Sequence, residues 1–182
     1  MLSKKIKVIL LILAVSVIAI QPQIVTAYDV ERAISLNIVP ISLQSDYTKP
    51  VTRAEFCGLA VSVYENIIQA EITERKEFAD TDDINVQKMG GLGIAGGVGK
   101  GNFSPNSRIT REESAVFFAR ILVNLGIYTK ETDPTFDDND KISGWAFVAV
   151  GQVQSLELMS GSDQNMFMPK ANYTTEQAII SF

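Results

Sequence analysis

The sequence predicts a mainly α protein built from three helix–loop–helix repeats that share one core, with the third repeat cut short. Three observations carry this. Val51-Thr52-Arg53-Ala54-Glu55, Ile109-Thr110-Arg111-Glu112-Glu113 and Tyr173-Thr174-Thr175-Glu176-Gln177 all read apolar-Thr-x-x-Glu/Gln. That is a capping box, in which the Thr hydroxyl accepts from the N3 N–H and the N3 side chain reaches back to the N-cap N–H. The three threonines stand 58 and 64 residues apart, and three boxes at such similar spacings suggest a repeated unit. Apolar residues then recur every three or four positions after the first two boxes, as on one face of a helix. A unit this small cannot bury its stripe alone, so several must close around common side chains.

Ahead of the repeats, residues 1–27 read as a secretory signal peptide. Lys4, Lys5 and Lys7 make a basic start, Val8 to Ile20 is apolar, Pro22 breaks the run, and Val25-Thr26-Ala27 offers a cleavage site before Tyr28. An uncleaved N-terminal anchor is the competing reading. No later stretch approaches the ~18 apolar residues of a membrane span. The net charge of −5 becomes −8 once the three leading lysines are gone, which argues against nucleic acid, whose binders carry basic patches. Histidine is absent and Cys57 is the single cysteine. A His-based triad, a His or multi-Cys zinc site and an internal disulfide are thereby excluded. Cys57 reads as a small core residue inside a helix.

The first unit spans residues 28–70. Val30, Ala33 and Ile34 suggest a short helix from Tyr28 that Asn37 can end. A loop from Pro40 to Pro50 precedes the first box, and Phe56, Leu59, Ala60, Val63, Tyr64 and Ile67 form the stripe behind it. The second unit, 78–127, opens on Phe78-Ala79-Asp80. Val86, Met89, Leu92 and Ile94 mark its short helix, and residues 96–105 are a glycine-rich loop. Phe117, Phe118, Ile121, Leu122 and Leu125 follow its box, with Gly126 as C′ residue. The third unit, 136–182, has Phe136-Asp137-Asp138, a helix marked by Trp145, Val148, Ala149, Val153 and Leu156, and a box followed by about two turns. Ile94 to Thr110 and Leu158 to Thr174 are both 16 residues, whereas Ile38 to Thr52 is 14.

Several motifs fail on context. Residues 91–96 match G-x-G-x-x-G, but a helix precedes them and a loop follows, the reverse of a dinucleotide site. Gly99-Lys100 lacks the hydroxyl residue of a P-loop. Asp137 to Asp140 is an acidic turn whose Gly and bidentate Glu are out of register for calcium. Glu112-Glu113 supplies two carboxylates, but Glu113 is used as a cap partner. No cofactor is implied.

The order Phe-x-Asp, Gly93-Ile94-Ala95-Gly96, Gly101-Asn102-Phe103-Ser104-Pro105 and Ile109-Thr110-Arg111-Glu112-Glu113 resembles the S-layer homology (SLH) repeat. Trp145-Ala146 and Phe167-Met168-Pro169 extend the likeness to the third unit. The resemblance implies a compact pseudo-threefold helical prism. It also implies a non-catalytic module at the bacterial cell surface, binding an acidic, pyruvylated secondary cell-wall polysaccharide linked to peptidoglycan in grooves between repeats. The motif arginine and an aromatic residue are the contacts it implies, so Arg53, Arg111, Trp145, Lys100 and Gly101 are the ligand-binding candidates. Thr52, Glu55, Thr110, Glu113, Thr174 and Gln177 are the capping residues.

Helix chemistry bears on the arginines independently. Arg53 and Arg111 sit at N1, where a cation opposes the helix dipole by about 0.3–1 kcal/mol. An arginine against local preference, twice at one position, fits a bound anion, with helix N–H groups as further donors. The other reading packs each Arg on a neighbouring unit or pairs it with Asp80 or Asp137. Trp145 can stack on a sugar or lie in the core. Thr175 stands where a third Arg would be, so one or two competent grooves are expected. The alternative function is a structural or protein-interaction module that keeps the fold without glycan binding; a carbohydrate-active enzyme comes third.

Overall fold

The computed structural model describes residues 22–162 and 164–182. Residues 1–21, most of the expected signal peptide, lie outside them. Six α-helices follow in order: α1 Pro22–Ser35, α2 Arg53–Ile68, α3 Ile84–Gly91, α4 Arg111–Asn124, α5 Phe147–Ser155 and α6 Thr175–Ser181. No β-strand forms among the described residues, only isolated bridges. None of the described helices is long and apolar enough to cross a membrane.

Capping chemistry sets where these helices begin. Thr52, Thr110 and Thr174 each accept from the N3 amide, and Glu55, Glu113 and Gln177 each return a bond to the N-cap amide. Three short helices stop in one common way. Asn37, Gly93 and Glu157 take positive φ of 56°, 72° and 58°. The next residues, Ile38, Ile94 and Leu158, then donate back to Ala33, Met89 and Val153. This is a Schellman end, with an apolar residue turned inward after it.

The capping segments meet in a closed triangle. Val51 N–H bonds Tyr173 O at 2.9 Å, Tyr173 N–H bonds Ile109 O at 2.9 Å, and Ile109 N–H bonds Val51 O at 3.1 Å. Around it the helices pair as α2 with α3, α4 with α5, and α6 with α1. Each short helix thus lies on the capped helix that precedes it in the chain, and the first closes on the last. The hairpins expected within each unit are replaced by pairs between successive units.

Packing near the triangle accounts for the residues four positions after each cap. These are Phe56, Ser114 and Ala178, each 0% exposed. Only one of the three is a large side chain, in a core packed too closely for voids. Phe56 meets Phe117 at 5.4 Å, Phe118 at 5.5 Å and Phe182 at 5.2 Å between ring centroids. These are edge-on or tilted contacts, the favoured aromatic geometry. Cys57 is buried in the same core, and burial pushes its thiol pKa far up. That suits an inert side chain.

The α5 stripe is shifted from expectation. Ala149, Val150 and Val153 are buried, while Trp145 is 61% and Val148 43% exposed. Helix α5 starts at Phe147, so Trp145 lies on the preceding turn and outside its periodicity.

Candidate functional site

Two Phe-x-Asp motifs build the walls of the site. Asp80 accepts from the N–H groups of Phe103 and Ser104, both at 2.7 Å. Asp138 accepts from Phe167 at 2.7 Å and Met168 at 2.9 Å. The rings follow: Phe78 meets Phe103 at 5.2 Å and Phe136 meets Phe167 at 5.1 Å. Each motif therefore folds its loop back and turns a carbonyl, Phe103 O or Phe167 O, toward the neighbouring capped helix. The Phe103 N–H bond, ahead of all else, holds the Asp80 pKa below its ordinary value.

Arg53 fills the seam between α2 and the loop before α4. It is 5% exposed. Nε donates to Phe103 O at 3.0 Å, Nη2 to Gly96 O at 2.9 Å, and Nη1 to Glu113 Oε1 at 2.9 Å. Its guanidinium lies 4.6 Å from the Phe103 ring centroid, within cation–π range. Every nitrogen of this cation is spent inside the protein.

Arg111 repeats much of the arrangement one seam further. It is 7% exposed. Nε donates to Phe167 O at 2.7 Å and Nη2 to Ser160 O at 2.8 Å. The Phe167 and Tyr173 rings lie 4.9 and 5.6 Å from the guanidinium carbon. Among the described residues, nothing bonds Nη1 and no carboxylate pairs with this arginine. The residue in the place of Glu113 is Gln177, whose Oε1 already accepts from Thr174 N–H at 3.1 Å. The remaining atom of that side chain is an amide nitrogen, which donates and cannot accept. Burial lowers the Arg111 pKa, opposed by Tyr173 and Asp138; a guanidinium stays charged regardless.

Arg111 and Gln177 both line a cleft of about 390 Å³, together with residues 156–162, Met168, Tyr173 and the end of α6. The two arginines thus lie at seams between chain segments. Neither pairs with Asp80 or Asp137. Asp80 and Asp138 hold loop amides, and Asp137 accepts from Asn165 Nδ2 at 3.0 Å.

The remaining candidates are placed elsewhere. Lys100 and Gly101 form an exposed turn closed by the Gly99–Asn102 bridge, and the Gly101 carbonyl accepts from Ala79 N–H. Trp145 stands exposed before α5. The third position, Thr175, is 2% exposed and donates from Oγ1 to Lys49 O at 3.1 Å.

The expected free N–H groups at the helix starts do not exist. Arg53 and Ala54 amides bond Ser107 and Pro105 carbonyls; Arg111 and Glu112 bond Ala171 and Pro169; Thr175 and Glu176 bond Lys49 and Tyr47. Chain segments from elsewhere in sequence have taken the donors that an isolated helix would leave open. Glu112, nearly buried, accepts from Ser143 N–H at 3.0 Å and pairs with Lys170. Both members of the Glu112-Glu113 pair are therefore held in structural contacts.

Sequence reasoning missed the rings beneath the guanidiniums, Phe103 and Phe167, and the carbonyls of Gly96 and Ser160. The spacing of Phe-x-Pro to Thr is equal in the two loops and held the signal. It also missed that Glu113 and Gln177, already aligned as cap partners, meet the neighbouring arginine position differently.

Residues 80–115 match the S-layer homology domain family. The chain is 33% identical over 158 residues to an amylopullulanase of Thermoanaerobacterium thermosulfurigenes, covering 82% of this chain and 8% of the relative. It is 33% identical over 138 residues to an endoglucanase of Bacillus sp. (strain KSM-635), covering 72% and 14%. The exoglucanase XynX of Acetivibrio thermocellus is 31% identical over 156 residues, covering 82% and 14%. The chain thus spans only a small part of the length of these relatives. It carries, at residues 80–115, an S-layer homology domain, the module found in cell-surface proteins that anchor to the cell wall.

Proposed function

We propose that this chain is a non-catalytic anchoring module that binds an acidic cell-wall polysaccharide, with Arg111 as its main anion contact. The observation that carries this is a buried guanidinium with an unused nitrogen, lining a cleft, with no carboxylate partner among the described residues. An unpaired buried charge costs several kcal/mol. The Phe167 and Ser160 carbonyls and the two rings offset part of that, and an incoming carboxylate offsets more. A pyruvyl ketal on the glycan is the group that suits this role.

The basic start and apolar run of residues 1–27 direct export. Three S-layer homology units, 28–70, 78–127 and 136–182, share the hydrogen-bonded triangle as a pseudo-threefold centre. The relatives are named as enzymes, and the matched stretch is a small share of each, which fits an anchoring segment appended to catalytic ones. A second reading, an interaction module without glycan binding, draws on Arg53, each of whose nitrogens already bonds within the protein.

Sedimentation with purified cell walls separates the two. The protein is expected to pellet with intact walls and to stay in solution with walls stripped of their secondary polymer by acid. Arg111→Gln is expected to remove pelleting while the circular dichroism spectrum persists. Equal pelleting with intact and stripped walls overturns the glycan reading.

A further inference from the structure

The two arginine seams differ at Nη1 of the guanidinium. On Arg53, Nη1 holds Glu113 Oε1 at 2.9 Å. Glu113 Oε2 meanwhile serves the capping box, accepting from Thr110 N–H at 2.8 Å. One carboxylate therefore caps its own helix and neutralises the neighbouring arginine. In the next seam Gln177 caps equally well through Oε1. Its second polar atom is a neutral N–H donor, so it cannot neutralise Arg111.

We infer that Gln177 is the residue that keeps the Arg111 cleft open to an external carboxylate, and that Glu113 acts at the Arg53 seam as a built-in occupant of the same position. This rests on the reading of Arg111 as an anion site and deepens it. The ligand is a carboxylate, because a carboxylate is what the protein itself places on the equivalent nitrogen of Arg53. Gln177 lines the same cleft as Arg111, and its amide nitrogen is a further donor there. A glutamate at 177 would place an acid against Arg111 and compete with the ligand from within. The capping box survives Gln177→Glu, since this chain builds it with Glu at 55 and 113 and with Gln at 177. Gln177→Glu is therefore expected to fold.

The probe is the methyl mannoside carrying a 4,6-linked pyruvate ketal, with its neutral methyl ester as control, measured by isothermal titration. Wild type is expected to bind the acid and not the ester. Gln177→Glu is expected to weaken binding by about tenfold or more, and Gln177→Ala by only a few-fold, as suits loss of one donor. A readout without ligand accompanies this. Gln177→Glu is expected to raise the melting temperature in low salt, and the gain should vanish when Arg111→Gln is added. Undiminished binding by Gln177→Glu, or a melting temperature indifferent to Arg111, overturns the inference. If binding by Gln177→Glu is undiminished but abolished by Arg111→Gln, the anion site stands and only the role of Gln177 falls. If wild type ignores the acid and wall pelleting survives Arg111→Gln, the underlying reading falls as well.

Discussion

Asp138 accepts hydrogen bonds from the Phe167 and Met168 amides at 2.7 and 2.9 Å while 2% exposed. This one carboxylate holds the loop whose Phe167 carbonyl and ring carry Arg111. Asp138→Ala leaves two amides without their acceptor, one of them on Met168, whose φ is +55°. A loss of about 2–4 kcal/mol is expected, since bonds to a charged acceptor are the strong ones. Asp138→Asn keeps one acceptor oxygen and should lose roughly half as much. Urea titration of the three proteins measures this.

Glycine at 151 is required by close approach. A Cβ there would lie 1.7 Å from Thr132 O, a backbone atom that cannot swing away. Gly151→Ala should cost about 1–3 kcal/mol or more through forced separation of α5 from the 132–134 segment. Gly144→Ala meets nothing within 4 Å and should stay within about 0.5 kcal/mol of wild type. Thermal melts of the pair test the contrast.

The Arg53–Glu113 ion pair, at 2.9 Å, has side chains 6% and 28% exposed. Glu113→Gln preserves the cap but leaves the Arg53 charge unneutralised. Complete burial would make this a loss of about 3–5 kcal/mol, and the exposure of Glu113 reduces the expectation to about 2 kcal/mol. Lys49 and Glu55 are paired at 3.1 Å with side chains 42% and 25% exposed. Lys49→Ala should cost less than about 1 kcal/mol. A reversed ranking in urea unfolding would remove the argument that burial sets the value of these pairs.

Stability should fall on the acid side. The Phe103 amide bond leads in lowering the Asp80 pKa below 3.8. Burial alone would raise Glu55 and Glu65. Bonds from Thr52 and Lys49 to the first, and from Lys88 and the Ile72 amide to the second, outweigh it and hold both below 4.5. Depressed carboxylates bind fewer protons folded than unfolded, so their stabilisation is present above the unfolded values and is lost as pH falls through the folded ones. The melting temperature should therefore drop progressively below about pH 4.5.

The alkaline side has its own sources. Burial lowers the Lys88 pKa, but Glu65 and Glu71 more than reverse it and hold it above 10.5. Its contribution is full below the unfolded pKa and is lost as pH rises through the folded one. Burial raises the pKa of Cys57 and Tyr173. Those groups ionise first in the unfolded chain and add to the alkaline loss. With no histidine present, a plateau is expected across about pH 5.5–8. Calorimetric scans across the full range check both edges.

Trp145 reports on the surface. At 61% exposure, its emission should be red-shifted and open to iodide quenching. Trp145→Ala should change stability by less than about 0.5 kcal/mol. Any effect of that substitution on wall pelleting then reads a contact with the wall directly.

The helix starts were legible because a capping box is local: Thr52 and Glu55 fall three residues apart and need nothing else to find each other. The same holds for the end at Asn37, and for the buried face of α4 at Phe117, Phe118 and Ile121. Trp145 was ambiguous because it precedes α5 by two residues, where helical period no longer tells inside from outside. The two-donor grip of Asp80 and Asp138 was hidden because their partners lie more than twenty residues away in the chain.

Local chemistry in the chain determined the helices, their caps, the recurrence of Thr-x-x-Glu/Gln and the position of each arginine. Those depend on neighbours within four residues. Tertiary structure alone decided that α3 and α5 lie on the preceding capped helix and α1 on the last, that the N-terminal amides are consumed by distant carbonyls, and that Arg53 pairs with Glu113 while no carboxylate among the described residues pairs with Arg111. The reason is physical: a hydrogen bond forms wherever folding brings donor and acceptor together, and separation along the chain carries no record of that meeting.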